Sequence, residues 1–442
     1  GQACGGSEHP LCVLGGAFAM SGVGAGPSSP REHTAPVTSF PKAKIKVLLV
    51  DGVHEKAVEL FQAETFQVES YKSLTEEELL QKVETVHILG VRSRTKVTAE
   101  VLMAAQRLLA VGCFCIGTDQ TDLEAAQDRG VAVFNAPFAN TRSVAELVIA
   151  EIIMLSRKAA QRSMEMHQGE WQKTHVQCYE VRGKTLGIVG YGHVGSQVSI
   201  LAESLGMKVV FFDVIPKLPM GLSAPCSTLD ELLATSDFVT LHVPGSEETF
   251  NMIGREQIAM MKPGSFLLNL SRGNVVDVDA LAEALRSGHL GGAAADVYPE
   301  EPTANGPQQF QSPLQGCPNT ILTPHIGGAT EEAQRLIGEQ TAATLIRFVN
   351  QGSSNGAVNL PEVDIPVSPV KEHHRITNVH NNEPGVLRDI NNILADYNVS
   401  AQVLGTKGKI GYLMVELDQT VSHEVKDAIS ALKPSIKTRI MY

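Results

Sequence analysis

Short apolar runs alternate with stretches of helical period along most of this chain. "IKVLLVDG" reads as a strand and "HEKAVELFQAE" as a helix. "VHILGVRS" and "RLLAVGCFCIG" read as further strands, "LEAAQDRG" as a helix stopped at Gly130, and "VAVFNAP" as a strand again. Strands spaced by helices at this interval predict βαβ units and a parallel sheet.

Residues 140–169, "NTRSVAELVIAEIIMLSRKAAQRSMEMHQG", break that rhythm. They hold no Pro or Gly until the end, repeat apolar positions at i, i+3 and i+4, and predict one long helix between two units. "KTLGIVGYGHVGSQ" then opens a second alternating series, which runs to "NTILTPHIGG". From Arg375 the order becomes β-α-β-β-α-β, the ferredoxin-like unit, reached through the proline-bearing linker "NLPEVDIPVSPVKEH". The first forty residues are rich in Gly, Ser and Pro and lack a period, so residues 1–43 are expected to be a disordered extension. That stretch has neither the basic start of a secretory signal nor the Arg content of a transit peptide.

Composition narrows the classes. The 442 residues are 43% hydrophobic and 19% charged, with a formal net charge of −12, which excludes the basic face that nucleic acid requires. No apolar run reaches the roughly 18 residues of a membrane helix. The seven cysteines are scattered, with Cys113 and Cys115 in an apolar stretch, as expected of thiols in a reducing, cytoplasmic setting and not of a metal site. His373 and His374 are adjacent on a predicted strand, so their side chains point apart and share no metal.

"GIVGYGHVGSQ" carries the chemistry of a dinucleotide site: Gly190-x-Gly192-x-x-Gly195 after a strand and opening a helix. Gly190 allows the tight turn, Gly192 admits a pyrophosphate to the helix N-terminus, and Gly195 lets helix and strand approach. A second strand, "KVVFFD", ends in Asp213, eighteen residues past Gly195, where an acid suits the ribose hydroxyls of NAD and repels a 2′-phosphate. Farther on, three apolar strands end in polar residues: Arg272 in "LSRGN", Asp296 and Glu301 in "DVYPEEP", and His325 in "LTPHIGG". Oxidising a 2-hydroxy acid needs a base near neutrality, and His325 backed by Glu301 fits, with Arg272 to grip a carboxylate. Singly, Arg272 could pair with a neighbouring acid and Glu301 could stand in solvent; together the three favour a site.

From Lys44 onward the chain resembles the D-2-hydroxyacid dehydrogenase family, through "GVRSRTKV", "AVGCFCIGTDQ", "FNAPFANTRSVAELV", "LGIVGYGHVG", "SDFVTLHVP", "MKPGSFLLNLSRGNVVD", "DVYPEEP" and "LTPHIGG". The resemblance implies an α/β fold: a Rossmann-type NAD domain (139–326) inserted in a flavodoxin-like substrate domain (44–138 and 327–365), plus a C-terminal ferredoxin-like ACT domain (373–442). It implies Arg272, Glu301 and His325 as the catalytic trio. His193, Val194, Asp213, Leu270, Ser271, Arg272, Asp296, His325, Ile326, Gly327 and Gly328 would be cofactor contacts. Arg92, Ser93 and Arg94 would hold a second anion of the substrate, with Lys173 and Trp171 reaching toward a neighbouring subunit of a homotetramer.

The branch resembled oxidises D-3-phosphoglycerate to 3-phosphohydroxypyruvate, the first step of L-serine synthesis. Reduction of 2-oxoglutarate in the same site is the alternative. NAD-sensing corepressors share the fold and trio, but "RSRT" and the C-terminal unit favour an enzyme. In that unit "NVHNNEPGVL" offers His380 and Asn382 to an L-serine effector, whereas Ser400 stands where an Asn is expected.

Overall fold

The computed structural model describes residues 41–302, 305–307, 310–366 and 373–441. The expected disordered extension lies outside them up to residue 40, while Lys42–Lys44 forms a short 3-10 turn tied to Glu64 through Lys42. The first alternating series folds as β1 (Lys46–Leu49), α1 (Glu55–Ala63), β2 (Gln67–Ser70), α2 (Glu76–Val83), β3 (Ile88–Val91), α3 (Ala99–Ala104), β4 (Ala110–Cys113), α4 (Leu123–Asp128) and β5 (Ala132–Phe134). All pairings are parallel, in the order β2-β1-β3-β4-β5, which is flavodoxin-like. The helices start where side chains can cap them: Thr75 with Glu78 forms a capping box, and Thr98 and Asp122 each accept a backbone N–H. β2 gave no apolar signal because "QVES" is an edge strand with hardly a buried face.

The single long helix expected over 140–169 is two, α5 (Thr141–Arg157) and α6 (Ala159–His167). Between them Lys158 takes a left-handed conformation, φ 53°, and its N–H closes α5 onto Leu155 and Met154. The change of direction follows burial: α5 buries Val144, Val148, Ile152 and Leu155, whereas α6 buries nothing. The second series is β6 (Thr185–Val189), α7 (His193–Ser204), β7 (Lys208–Phe212), β8 (Ala224–Pro225), α8 (Leu229–Thr235), β9 (Phe238–Leu241), α9 (Arg255–Met260), β10 (Phe266–Asn269), α10 (Val278–Arg286), β11 (Gly292–Ala295) and β12 (Thr320–Leu322). Its sheet runs β12-β11-β10-β9-β6-β7-β8, all parallel, and reverses direction of growth between β6 and β9. Both faces are covered, by α5 and α7 on one and by α8, α9 and α10 on the other, so its strands are continuous apolar runs.

The chain then returns to the first sheet through α11 (Glu331–Gln351), which puts Ile337, Leu345 and Phe348 into one core with Phe61, Phe114 and Phe134. The last unit is β13 (His373–Asn381), α12 (Val386–Leu394), β14 (Val399–Lys407), β15 (Ile410–Asp418), α13 (Ser422–Ser430) and β16 (Ser435–Met441), antiparallel in the order β14-β15-β13-β16. That is the ferredoxin-like order. Ile376, Leu413 and Val415 face its helices, while Val379, Tyr412 and Met414 join the core of the first sheet.

Candidate active site

The glycine loop sits at the point where the second sheet reverses, between β6 and α7. Each glycine has a separate steric reason. At Gly190, φ is 89° and a Cβ would lie 2.4 Å from the His242 carbonyl oxygen. At Gly195 it would lie 2.2 Å from the Gly190 carbonyl oxygen. At Gly192, the N-cap of α7, it would meet nothing within 4 Å, so the helix N-terminus opens onto free space. That space, with its exposed N–H groups, fits a pyrophosphate. Asp213 follows β7 and is half-buried; its carboxylate accepts from the N–H of Tyr191 (2.8 Å) and of Ile215 (2.9 Å). The acid is thereby fixed beside the glycine turn with lone pairs remaining for ribose hydroxyls. His193 is exposed and packs against Phe138, ring centroids 3.7 Å apart and planes tilted by 30°, and Val194 next to it is half-buried.

The polar strand ends meet across β10, β11 and β12. After β10, Leu270 and Ser271 are buried, and Asn269 braces the turn, accepting from the Ser271 hydroxyl (2.8 Å) and donating to the Arg272 carbonyl (2.9 Å). Gly273 is obligatory there, since a Cβ would lie 1.9 Å from the Tyr298 carbonyl carbon. After β11, Asp296 is 1% exposed and clamps the next loop. Its carboxylate accepts from the Thr323 hydroxyl (2.6 Å) and from the N–H groups of Ile326 (2.8 Å) and Gly327 (2.7 Å). Its own carbonyl accepts from His325 N–H (2.8 Å). The geometry therefore spends Asp296 on holding the loop, a task the sequence pattern did not reveal.

His325 itself sits at φ 54°, a left-handed position uncommon for a residue other than glycine. Its Nδ1 is 2.8 Å from Glu301 Oε2, and its side chain is half exposed. Hydrogen bonding to Glu301 raises the imidazole above its ordinary pKa, and the carboxylate charge adds to this against desolvation. Burial pulls Glu301 upward, but the bond to His325 and its charge outweigh it, and the carboxyl lies below the usual range. Arg272 is near enough for its charge to act on both partners. With Nδ1 engaged, Nε2 is the nitrogen left to face a substrate.

The other candidates are placed as follows. Arg92, Ser93 and Arg94 form the loop after β3, held by Asp51, which the sequence reading missed. Asp51 is buried at φ 69° and accepts from Arg92 N–H (3.0 Å), Thr95 N–H (3.0 Å) and the Thr95 hydroxyl (2.8 Å). The only advance signal was an Asp-Gly pair ending a strand. Arg94 lines a cavity of about 450 Å³ with Asp51, Ser73, Thr75 and Lys96. Gly328 packs on Asn140, and Ser143 bonds Thr330 (2.7 Å) where the chain crosses between the two sheets. Trp171, 75% exposed, and Lys173 stand on the surface after α6. His380 is 2% exposed, its Nδ1 engaged by Asn378 (2.9 Å), and burial lowers its pKa. Asn382 is exposed and donates to the Gly408 carbonyl (3.2 Å).

The chain matches known proteins along most of its length. Residues 149–327 match the family model "D-isomer specific 2-hydroxyacid dehydrogenase, NAD binding domain", and residues 376–437 match "AHAS small subunit-like ACT domain". It is 58% identical over 408 residues to the D-3-phosphoglycerate dehydrogenase of Dictyostelium discoideum, covering 92% of this chain and 100% of that one. To the D-3-phosphoglycerate dehydrogenase of Escherichia coli K12 it is 48% identical over 410 residues, 91% of this chain and 99% of that one. Among solved structures, TT0316 protein from Thermus thermophilus superimposes with a TM-score of 0.62 at 34% identity, over 69% of this chain and 97% of that one. D-lactate dehydrogenase from Aquifex aeolicus, complexed with NAD and lactic acid, gives 0.61 at 29% identity, over 72% and 100%.

Proposed function

Because this chain belongs to the D-3-phosphoglycerate dehydrogenases of the D-isomer-specific 2-hydroxyacid dehydrogenase family, we propose the following working of its site. The reaction is the NAD-dependent oxidation of D-3-phosphoglycerate to 3-phosphohydroxypyruvate, which opens L-serine synthesis. The observation that carries the mechanism is the 2.8 Å contact between His325 and Glu301 on a loop locked by Asp296. NAD, when bound, supplies the hydride acceptor at the substrate C2. Gly190, Gly192, Gly195 and Asp213 would hold it, with His193, Val194, Leu270, Ser271, Ile326, Gly327 and Gly328 along the same cleft.

His325 Nε2 takes the hydroxyl proton as C2 is oxidised, and Glu301 stabilises the imidazolium that forms. Arg272 grips the substrate carboxylate and orients C2, and Arg92 and Arg94 take the phosphate. In the reverse direction the same imidazolium returns the proton to the keto oxygen.

The wider organisation is part of the same reading. Residues 44–138 with 327–365 would form the substrate domain, 139–326 the NAD domain and 373–442 the ACT regulatory domain, behind an extension of residues 1–43. The exposed Trp171 and Lys173 suit contact with a second copy in a homotetramer. The ACT unit suits an amino-acid effector such as L-serine, met by the exposed Asn382 and, after local rearrangement, by His380. Among the described residues no helix is long and apolar enough to cross a membrane, and the cytoplasm is the compartment we assign. The deciding experiment is the initial rate of NADH oxidation with 3-phosphohydroxypyruvate beside 2-oxoglutarate and glyoxylate. Preference for the phosphorylated acid is expected; preference for either of the others would replace the substrate, and no turnover would remove the activity.

A further inference from the structure

Glu151 has no role in the reaction as derived, and its surroundings are unusual for an acid. It lies on α5 one heptad after Val144, whose side chain approaches Gly327, and one turn before Leu155, whose carbonyl accepts from Asn319 (3.1 Å). It therefore faces the second sheet, behind the loop that carries His325. Its side chain is 1% exposed, and neither carboxyl oxygen has a hydrogen-bond partner among the described residues.

The groups around it leave one charged neighbour. α5 packs against α6, α7, β10, β11 and β12. β10, β11 and β12 carry no titratable side chain. On α7, His193 packs against Phe138 and Glu203 is bonded to Leu222 N–H. On α6, Arg162 pairs with Glu165 and His167 is exposed at the helix end; on α5 itself, Arg142 pairs with Glu146 on the exposed face. The charge that acts on Glu151 is that of Asp296, at the end of β11. Tyr298 also feels the charge of Glu151: its hydroxyl is raised by burial and then by Asp296, Glu151 and Glu301. Burial pushes the Glu151 carboxyl up to about 8, and Asp296 adds to the push.

We propose that Glu151 is a positioning residue: a neutral carboxylic acid behind Asp296, whose proton keeps a second negative charge away from the carboxylate that holds the His325 loop. Losing that proton sets two buried acids against each other, loosens the clamp and limits the enzyme at alkaline pH. The sign for stability is definite. The unfolded chain ionises this Glu near the ordinary carboxyl value, so the cost of burying it is absent below that value. The cost grows as pH rises to the folded value and is constant above it.

The test compares the full-length protein with Glu151→Gln and Glu151→Met. Infrared spectroscopy near neutral pH should find a protonated-carboxyl band that both variants lack and that titrates away above about pH 8. The melting temperatures of both variants should rise relative to the parent as pH increases across the interval between the two carboxyl values. Oxidation by the parent should decline on the alkaline side, while the Gln variant keeps its rate. Only this kinetic arm rests on the proposed activity, so turnover failure with every substrate would remove that activity and leave the first two arms to decide here. Absence of the carboxyl band, or superimposable pH profiles of stability, would overturn the proposal.

Discussion

The Asp296 carboxylate and the Gly327 N–H are 2.7 Å apart, and this bond holds the backbone that turns at His325 into a left-handed conformation. Asp296→Asn puts an N–H₂ against a loop that offers only donors at two of its three contacts. It should cost about 1–3 kcal/mol of loop alignment, read as roughly a 5- to 150-fold fall in kcat/KM. NADH affinity should change less, and the circular dichroism should not change. A rate within twofold of the parent would show that the loop is held by other contacts.

Glu301→Gln should move the pH dependence in a fixed direction. The carboxylate raises the His325 pKa, so removing its charge lowers it. With His325 as the proposed base, oxidation uses the neutral imidazole and its acid limb should shift to lower pH, while reduction uses the imidazolium and its alkaline fall should begin at a lower pH. In stability, the His325 side of the pair contributes fully below the ordinary imidazole value and is lost as pH rises through the raised one. The Glu301 side contributes above the ordinary carboxyl value and is lost as pH falls through the depressed one. Initial rates across pH in both directions check this.

The glycine loop separates folding from binding. Gly192→Ala has open space and φ −84°, so its melting temperature should match the parent's while NADH affinity falls tenfold or more, about 1.4 kcal/mol. Gly195→Ala drives a methyl into the Gly190 carbonyl and should lower stability by about 1–3 kcal/mol. Thermal unfolding beside a fluorescence titration with NADH distinguishes the two.

In the C-terminal unit Arg375 and Glu416 form a buried pair, Nε to Oε1 3.0 Å, and Arg375 also donates to the Gln351 carbonyl at the end of α11 (2.7 Å). Glu416→Gln leaves the guanidinium buried against a weaker partner and should destabilise by about 3–5 kcal/mol. Replacing both by apolar residues should recover much of that. Denaturant unfolding of the two variants measures the difference.

What could be read from the chain in advance was what depends on neighbours in sequence. The βαβ rhythm, the glycine turn and the apolar strands ending in Arg272, Asp296 and His325 are local patterns, and the sheets carry them as expected. The break at Lys158 was hidden because a left-handed lysine has no composition cue, unlike Gly130 at the end of α4. The role of Asp51 was hidden because its partners lie more than forty residues away. His380 was read as available to an effector and is buried instead, because β13 is covered on both faces and alternation along it distinguishes no exposed side. Glu151 could have been noticed, since it sits a heptad from Val144 on the apolar stripe of α5, where a charge breaks the pattern.

The two places where the backbone passes between the first and second sheets lie side by side, joined by the Ser143–Thr330 bond and by Asn140 against Gly328. A door hung on two adjacent pins swings about one line and resists every other motion. If the two sheets move relative to each other, both crossings must flex together, and rotation about the line through them is the motion they oppose least. His325 lies three residues before Gly328, so it stands beside one of the two crossings, where such a rotation displaces it little.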